Sequence, residues 1–225
     1  MKHLVFVGLT LFSLVSCKIV RSTSFNSDNS GEISVYIDMK EFAEKMGKGV
    51  SKKTEEKLAF DSKKNENLDN LTMVEYIGQT SGISNVTTIV NKKKYTYGLN
   101  LKFDNPLSLN EAMNKIQHYV AKGKDSSAVL KTFEYYHFSD KKLTLKEPFK
   151  KQNDSQEGDE SNEKLEKMTE MISMQWEVSF ADRKIKKVNS NLEVIKNGKK
   201  QVTLKIDGDE ISKRDSETIA TIDLK

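Results

Sequence analysis

The chain has 225 residues, with 37 basic against 33 acidic side chains, a formal charge of +4 and 36% hydrophobic residues. This apolar content supplies one ordinary core, and so mild a charge gives no reason to expect a nucleic-acid partner. A single cysteine excludes any disulfide within the chain, so the fold must be held by packing.

Residues 1–17 read MKHLVFVGLTLFSLVSC. Lys2 precedes an apolar run from Leu4 to Val15, and small residues lead to Cys17. A charged head, apolar middle and small-residue end define a secretory signal, too short to span a bilayer, which takes about 20 apolar residues. No comparable apolar run follows, so no other segment is expected to cross a membrane. Leu14-Val15-Ser16-Cys17 resembles the lipobox of bacterial lipoproteins. The resemblance implies cleavage before Cys17, a diacylglycerol on its thiol and a fatty acid such as palmitate on the new N-terminus. The thiol has no partner within the chain, and an unpaired thiol in an exported protein is accounted for by acylation. One acyl chain holds only marginally, at ~0.8 kcal/mol per buried methylene, whereas two or three anchor stably.

The expected layout is a signal peptide over 1–16, a lipidated cysteine and flexible tether over 17–31, and a single α+β domain over 32–225. The tether is inferred from the Ser/Asn-rich run KIVRSTSFNSDNSG. Within it, Lys18 and Arg21 either touch anionic head groups or are simply solvated. Basic rather than acidic residues directly after Cys17 point to a periplasm-facing domain, and the expected location is the outer membrane.

Residues 32–38 alternate, with Ile33, Val35 and Ile37 on one face, and predict a strand. A short helix bearing Phe42, Ala43 and Met46 follows over 39–47, then a Lys-rich loop or frayed helix over 48–64. Leu68, Leu71, Val74 and Ile77 fall at helical spacing within 66–79, with Gly78 and Gly82 at the end. Residues 83–90 and 95–103 form a hairpin through Asn91-Lys92-Lys93-Lys94. Ser108-Leu109-Asn110-Glu111 reads as a capping box opening a helix whose stripe is Leu109, Ala112, Met113, Ile116, Tyr119 and Val120. A second hairpin spans 129–138 and 143–149, followed by an acidic mobile loop at about 150–163. A third helix is expected over 163–173, with Leu165, Met168, Met171 and Ile172 inward. Trp176, Val178 and Phe180 share a strand face, and strands over 184–188, 191–195, 201–206 and 218–224 complete the chain, with Asn197-Gly198 as a hairpin turn. The order from 32 to 138 is that of a split β-α-β unit. The expected fold is α+β, a mostly antiparallel sheet with about three helices on one face.

No nucleophile elbow, HExxH or P-loop occurs, and His118 and His137 are too few for a common zinc site. Both histidines are read as structural, and Asp207-Gly208-Asp209-Glu210 as a turn rather than a calcium loop. No catalytic residue, metal or cofactor is expected. Lysines gather at the turns: Lys92, Lys93 and Lys94, Lys141 and Lys142, Lys184 with Lys186 and Lys187, and Lys199 and Lys200. If these turns share one end of the sheet they form a basic rim for phosphorylated head groups; otherwise they serve solubility and protect sheet edges.

The Met-rich segment Met168, Met171, Met174, the strand 175–180, the Asn197-Gly198 hairpin and the last strand pair, containing Ala220, resemble the domain of LppM-type bacterial lipoproteins. That resemblance implies binding or handling of an envelope glycolipid. The expectation is a non-enzymatic envelope lipoprotein, attached to the membrane through Cys17, that binds lipid or glycolipid. The alternatives are an adaptor for an envelope protein and, least favoured, an enzyme.

Overall fold

The computed structural model describes residues 17–46, 70–120, 132–148, 172–211 and 217–225. The signal segment, the Lys-rich stretch at 48–64, the acidic loop at 150–163 and most of the helix expected over 163–173 lie outside the described residues.

A seven-stranded sheet is built from β1 (Cys17–Phe25), β2 (Gly31–Asp38), β3 (Ile83–Asn91), β4 (Thr96–Phe103), β7 (Ile172–Phe180), β9 (Glu193–Lys196) and β10 (Gln201–Ile206), in the order β3-β4-β2-β1-β7-β10-β9. A second sheet contains β5 (Tyr136–Ser139), β6 (Lys142–Lys146), β8 (Ile185–Ser190) and β11 (Thr218–Leu224), in the order β5-β6-β11-β8. The helices are α1 (Lys40–Met46), α2 (Met73–Gly78), α3 (Pro106–Val120) and the single turn α4 (Gly208–Ile211).

The α+β class holds, and most of the alternating segments from 32 onward form the expected strands; of the one expected over 129–138, residues 132–135 are irregular and β5 begins at Tyr136. Several particulars differ. There are two sheets, and among the described residues two helices, α2 and α3, contribute to the core rather than about three. The split β-α-β arrangement does not form, because β5 leaves the first sheet for the second. Ile172 and Ser173, expected to end a helix, open strand β7.

The largest correction concerns the tether. Residues 17–25 form β1, which pairs antiparallel with β2 and parallel with β7 near the middle of the sheet. Its inward side chains include Arg21, Thr23 and Phe25, all buried. Two of these three are polar, so the alternation that marks a half-buried strand is invisible on a hydrophobicity scale. On the other face Val20 is also buried, at the end where α1 lies against β1.

Helix starts differ in the same instructive way. α3 begins at Pro106, and Asn105 caps it, its Oδ1 accepting from the Leu107 and Ser108 amides at 3.0 Å each. Asn at the cap followed by Pro at the first helical position outcompetes the expected Ser108 cap, which lies buried inside the helix. The capping box that does form is Thr72 with Glu75, opening α2 and leaving Leu71 outside the helix.

The core is continuous from one sheet to the other. Phe25 packs edge-on to Phe103 at 5.6 Å, Tyr136 at 5.9 Å and Phe138 at 5.0 Å, and stacks on Phe180 at 5.8 Å. Leu109, Ala112 and Met113 from α3 and Met73 and Ile77 from α2 belong to the same cluster. Two asparagines one helical turn apart join α3 to the chain around β5. Asn110 exchanges two hydrogen bonds with the Tyr136 backbone, both 2.9 Å, and Asn114 exchanges two with Phe133, at 3.0 and 3.1 Å. The amide side chains thus satisfy backbone groups that a neighbouring strand would otherwise pair.

A chain truncated to start at Ser24 loses Arg21, Thr23 and the pairing that joins β2 to β7. We expect it to lack a cooperative thermal transition by circular dichroism, whereas a chain starting at Lys18 melts cooperatively.

Candidate functional site: two poles and a buried ion pair

Strand register sorts the candidate residues onto two ends of the large sheet. At one end Cys17 pairs with Ile172, Lys18 with Asp38, Asp38 with Thr96, and Thr96 with Asn91. The turn carrying Lys92, Lys93 and Lys94 therefore lies at the Cys17 pole, as does α4 after Ile206. In that turn the Lys94 amide donates to Asn91, and the Tyr95 carbonyl accepts from Met39 at 3.0 Å. Asp207, read as part of an acidic turn, pairs with Lys205 at 3.3 Å.

Nine strand residues at about 3.3 Å each place the opposite pole some 25–30 Å away. There Phe25 pairs with Gly31 and Phe180, and Gln201 with Ser179. Backbone hydrogen bonds stitch the remaining lysine turns together at this end. Leu224 donates to the Lys141 carbonyl at 2.7 Å, Lys225 to Lys184 at 2.8 Å, Ile185 to Lys199 at 2.7 Å and Phe180 to Lys200 at 3.0 Å. Lys142 is paired across the strands with Ser139 and Asp223. The single basic rim of the sequence reading is thus divided: Lys141, Lys142, Lys184, Lys199 and Lys200 come together, while Lys92, Lys93 and Lys94 stand at the far pole.

Cys17 is half-buried at the start of β1. Burial first, and the Asp38 carboxylate second, push its thiol above the ordinary value, so an unmodified Cys17 is a protonated, weakly nucleophilic thiol at neutral pH.

Between the poles lies a fully buried charge pair that the sequence reading missed. Arg21, expected in the tether either against head groups or in solvent, makes a two-pronged ion pair with Glu147 just after β6, one prong measuring 2.9 Å. Its guanidinium sits 5.5 Å from the Tyr135 ring centre, and Thr23 hydrogen-bonds the Tyr136 hydroxyl at 2.9 Å. Burial opposes the Arg21 charge, but Glu147 outweighs it and holds the guanidinium above its ordinary pKa. Burial, reinforced by Glu147, pushes Tyr135 up to about 12. The one sequence signal was arginine at an inward-facing alternate position.

The two histidines have separate partners. His118 Nδ1 meets the Tyr76 hydroxyl at 2.8 Å, and His137 Nδ1 meets Glu134 at 2.7 Å. Among the described residues no group of three or more metal-binding side chains occurs, and no helix is long and apolar enough to cross a membrane.

These features define the class of protein: a two-sheet α+β domain with charged poles and a central buried ion pair. No protein-family model and no curated protein matches the chain. Among solved structures it is similar to the folded domain of LppM from Mycobacterium tuberculosis, determined by NMR, at 11% identity and a TM-score of 0.41, covering 92% of this chain and 88% of that one. A likeness at that level transfers neither a site nor an activity.

Removing Arg21 leaves Glu147 buried and unpaired. Arg21→Met is expected to cost about 3–5 kcal/mol in urea unfolding, and Arg21→Met with Glu147→Leu to recover most of that loss. Alkaline pH tests the same cluster. Free tyrosine titrates near 10, so between about pH 10 and 12 the unfolded chain sheds a proton that folded Tyr135 retains, and stability falls as pH rises. The fall attributable to Tyr135 is about 2–3 kcal/mol, and Tyr135→Phe should show a correspondingly shallower loss of urea midpoint from pH 9 to 12.

Proposed function

We propose that the chain is a bacterial envelope lipoprotein, acylated at Cys17, whose domain binds an anionic lipid or glycolipid without catalysing a reaction on it. The supporting observation is that Cys17 is the first residue of β1, with no spacer between thiol and sheet. Acyl chains there hold the domain directly on the bilayer, end-on, with the Lys92–Lys94 turn at the membrane-facing pole. Lysines in that position each add about 1 kcal/mol of attraction to an anionic surface, a useful complement to a lipid anchor. The setting is the outer membrane, with the domain facing the periplasm.

A second reading, an adaptor for an envelope protein, draws on β9. This strand lies at the sheet edge with Val194 and Ile195 exposed, which offers backbone groups and two apolar side chains to an added strand.

Growth of a bacterial host expressing the full chain with an alkyne-bearing fatty acid should label the protein, and Cys17→Ser should remove the label. Label retained in Cys17→Ser would sink the anchor assignment. Native mass spectrometry of the full chain, extracted from the envelope in mild detergent, tests the ligand. A reproducible added mass matching a lipid supports the lipid reading, and a protein-sized addition supports the adaptor.

A further inference from the structure

We infer that the pole opposite Cys17 is a binding site for phosphate-rich anions presented from the side away from the chain's own membrane. The inference deepens the function proposed above, on which it relies only for orientation.

Three observations carry it. First, the pole is built rather than incidental: Lys141, Lys184 and the pair Lys199 and Lys200 lie in three different turns that backbone hydrogen bonds of 2.7–3.0 Å draw onto residues 180, 185, 224 and 225. All four lysines, and Lys142 beside them, are exposed. Second, positive charge is in excess here: Lys141, Lys142, Lys184, Lys199, Lys200 and Arg183 stand with four carboxylates, Asp28, Asp140, Asp182 and Asp223. Among the described residues Lys141, Lys142, Lys184 and Lys199 make no close ion pair, while the Asp28 carboxylate, which accepts from Ser30 at 2.7 and 3.0 Å, faces Arg183. An excess of like charge gathered at one end costs self-repulsion, and a bound anion relieves it.

Third, Arg183 is pre-positioned among them. Its guanidinium lies 5.1 Å from the Phe138 ring centre and 5.3 Å from that of Phe180, and it donates to the Asn26 carbonyl at 3.0 Å. Its Nε is buried with no hydrogen-bond partner. Those rings belong to the aromatic cluster around Phe25, so the arginine is held on rigid core rather than on a loose loop. One oriented guanidinium on the same end of the sheet as several exposed lysines suits phosphate oxygens, which accept from several directions. The source is either a phosphorylated envelope polymer or the head groups of a facing membrane.

The test compares two triple variants of the full chain with identical change in charge. Lys141→Gln/Lys199→Gln/Lys200→Gln alters the far pole, and Lys92→Gln/Lys93→Gln/Lys94→Gln alters the Cys17 pole. Each is titrated with inorganic polyphosphate in nonionic detergent, after matched thermal transitions confirm folding. The far-pole triple should weaken binding about tenfold and flatten its salt dependence, and the Cys17-pole triple should change it less than about twofold. Equal weakening by both would reduce the effect to net charge and overturn the site, as would no weakening by either. Polyphosphate binding is read whether or not the chain is acylated, so failure of the anchor assignment cannot mimic failure of the site. In a second arm the acylated chain is reconstituted in phosphatidylcholine vesicles and mixed with phosphatidylglycerol vesicles. Bridging that the far-pole triple abolishes identifies a facing membrane as the source, and polyphosphate binding without bridging, by chain that flotation shows to be held on the first vesicles, identifies a polymer.

Discussion

Burial of Arg21 is the constraint on which the rest of the arrangement depends. A guanidinium withdrawn from water must find a carboxylate, and Glu147 supplies it from the end of β6, in the other sheet. Set against a well-packed apolar pair, such an ion pair contributes little net stability; set against a misdocked arrangement that strands one charge, it is decisive. It therefore acts chiefly on specificity, fixing which part of the second sheet meets β1. Tyr135, against the guanidinium, and Tyr136, bonded to Thr23, extend that alignment by adjacent residues.

Around this alignment the core closes by shape. Phe25, two alternations along from Arg21, meets aromatic rings from β4, β5 and β7. One strand thus contributes both the polar contact that orients the two sheets and the aromatic residue that fills the space between them. The β2–β4 contact is tight in its own way: a Cβ at Gly98 would collide with the Val35 carbonyl and with Tyr36, so only glycine allows the two strands to lie in this register. On the other flank Asn110 and Asn114 let a helix stand where a strand would otherwise pair.

What could be read from the sequence follows from where the physics is local. Strands with apolar inward faces, such as β2 with Ile33 and β7 with Trp176, Val178 and Phe180, announce themselves by period. The turn between β3 and β4 and the Asn197-Gly198 turn are equally plain. β1 was illegible because its inward face carries Arg21 and Thr23, whose burial makes sense only once Glu147 and Tyr136 are opposite them. Its parallel pairing with β7 joins segments separated by more than half the chain, and no local pattern encodes such a partner. The cap of α3 was ambiguous for a different reason: Asn105 and Ser108 are both good caps, and Pro106 decides between them. Each lysine turn was visible, but their division between two poles is a property of register. Lys92 and Lys199 are chemically alike, and only strand direction separates them.

Strand direction also governs how an anchor at Cys17 would act. A flexible tether would let the domain sample all orientations above a bilayer, and the lysine turns of both ends would compete for the same head groups. With β1 starting at the cysteine, an anchor there would tie orientation to the fold: a strand of this length, standing on the surface, would hold the far pole about 25–30 Å above it. That height exceeds the Debye length of about 8 Å at physiological salt. In a chain anchored at Cys17 the far lysines would therefore be screened from that membrane, and whatever attracted them would approach from outside. One fold can then hold a surface with one basic end and leave the other free for a second anion, with the buried Arg21–Glu147 pair keeping the two sheets, and hence the two ends, in fixed relation.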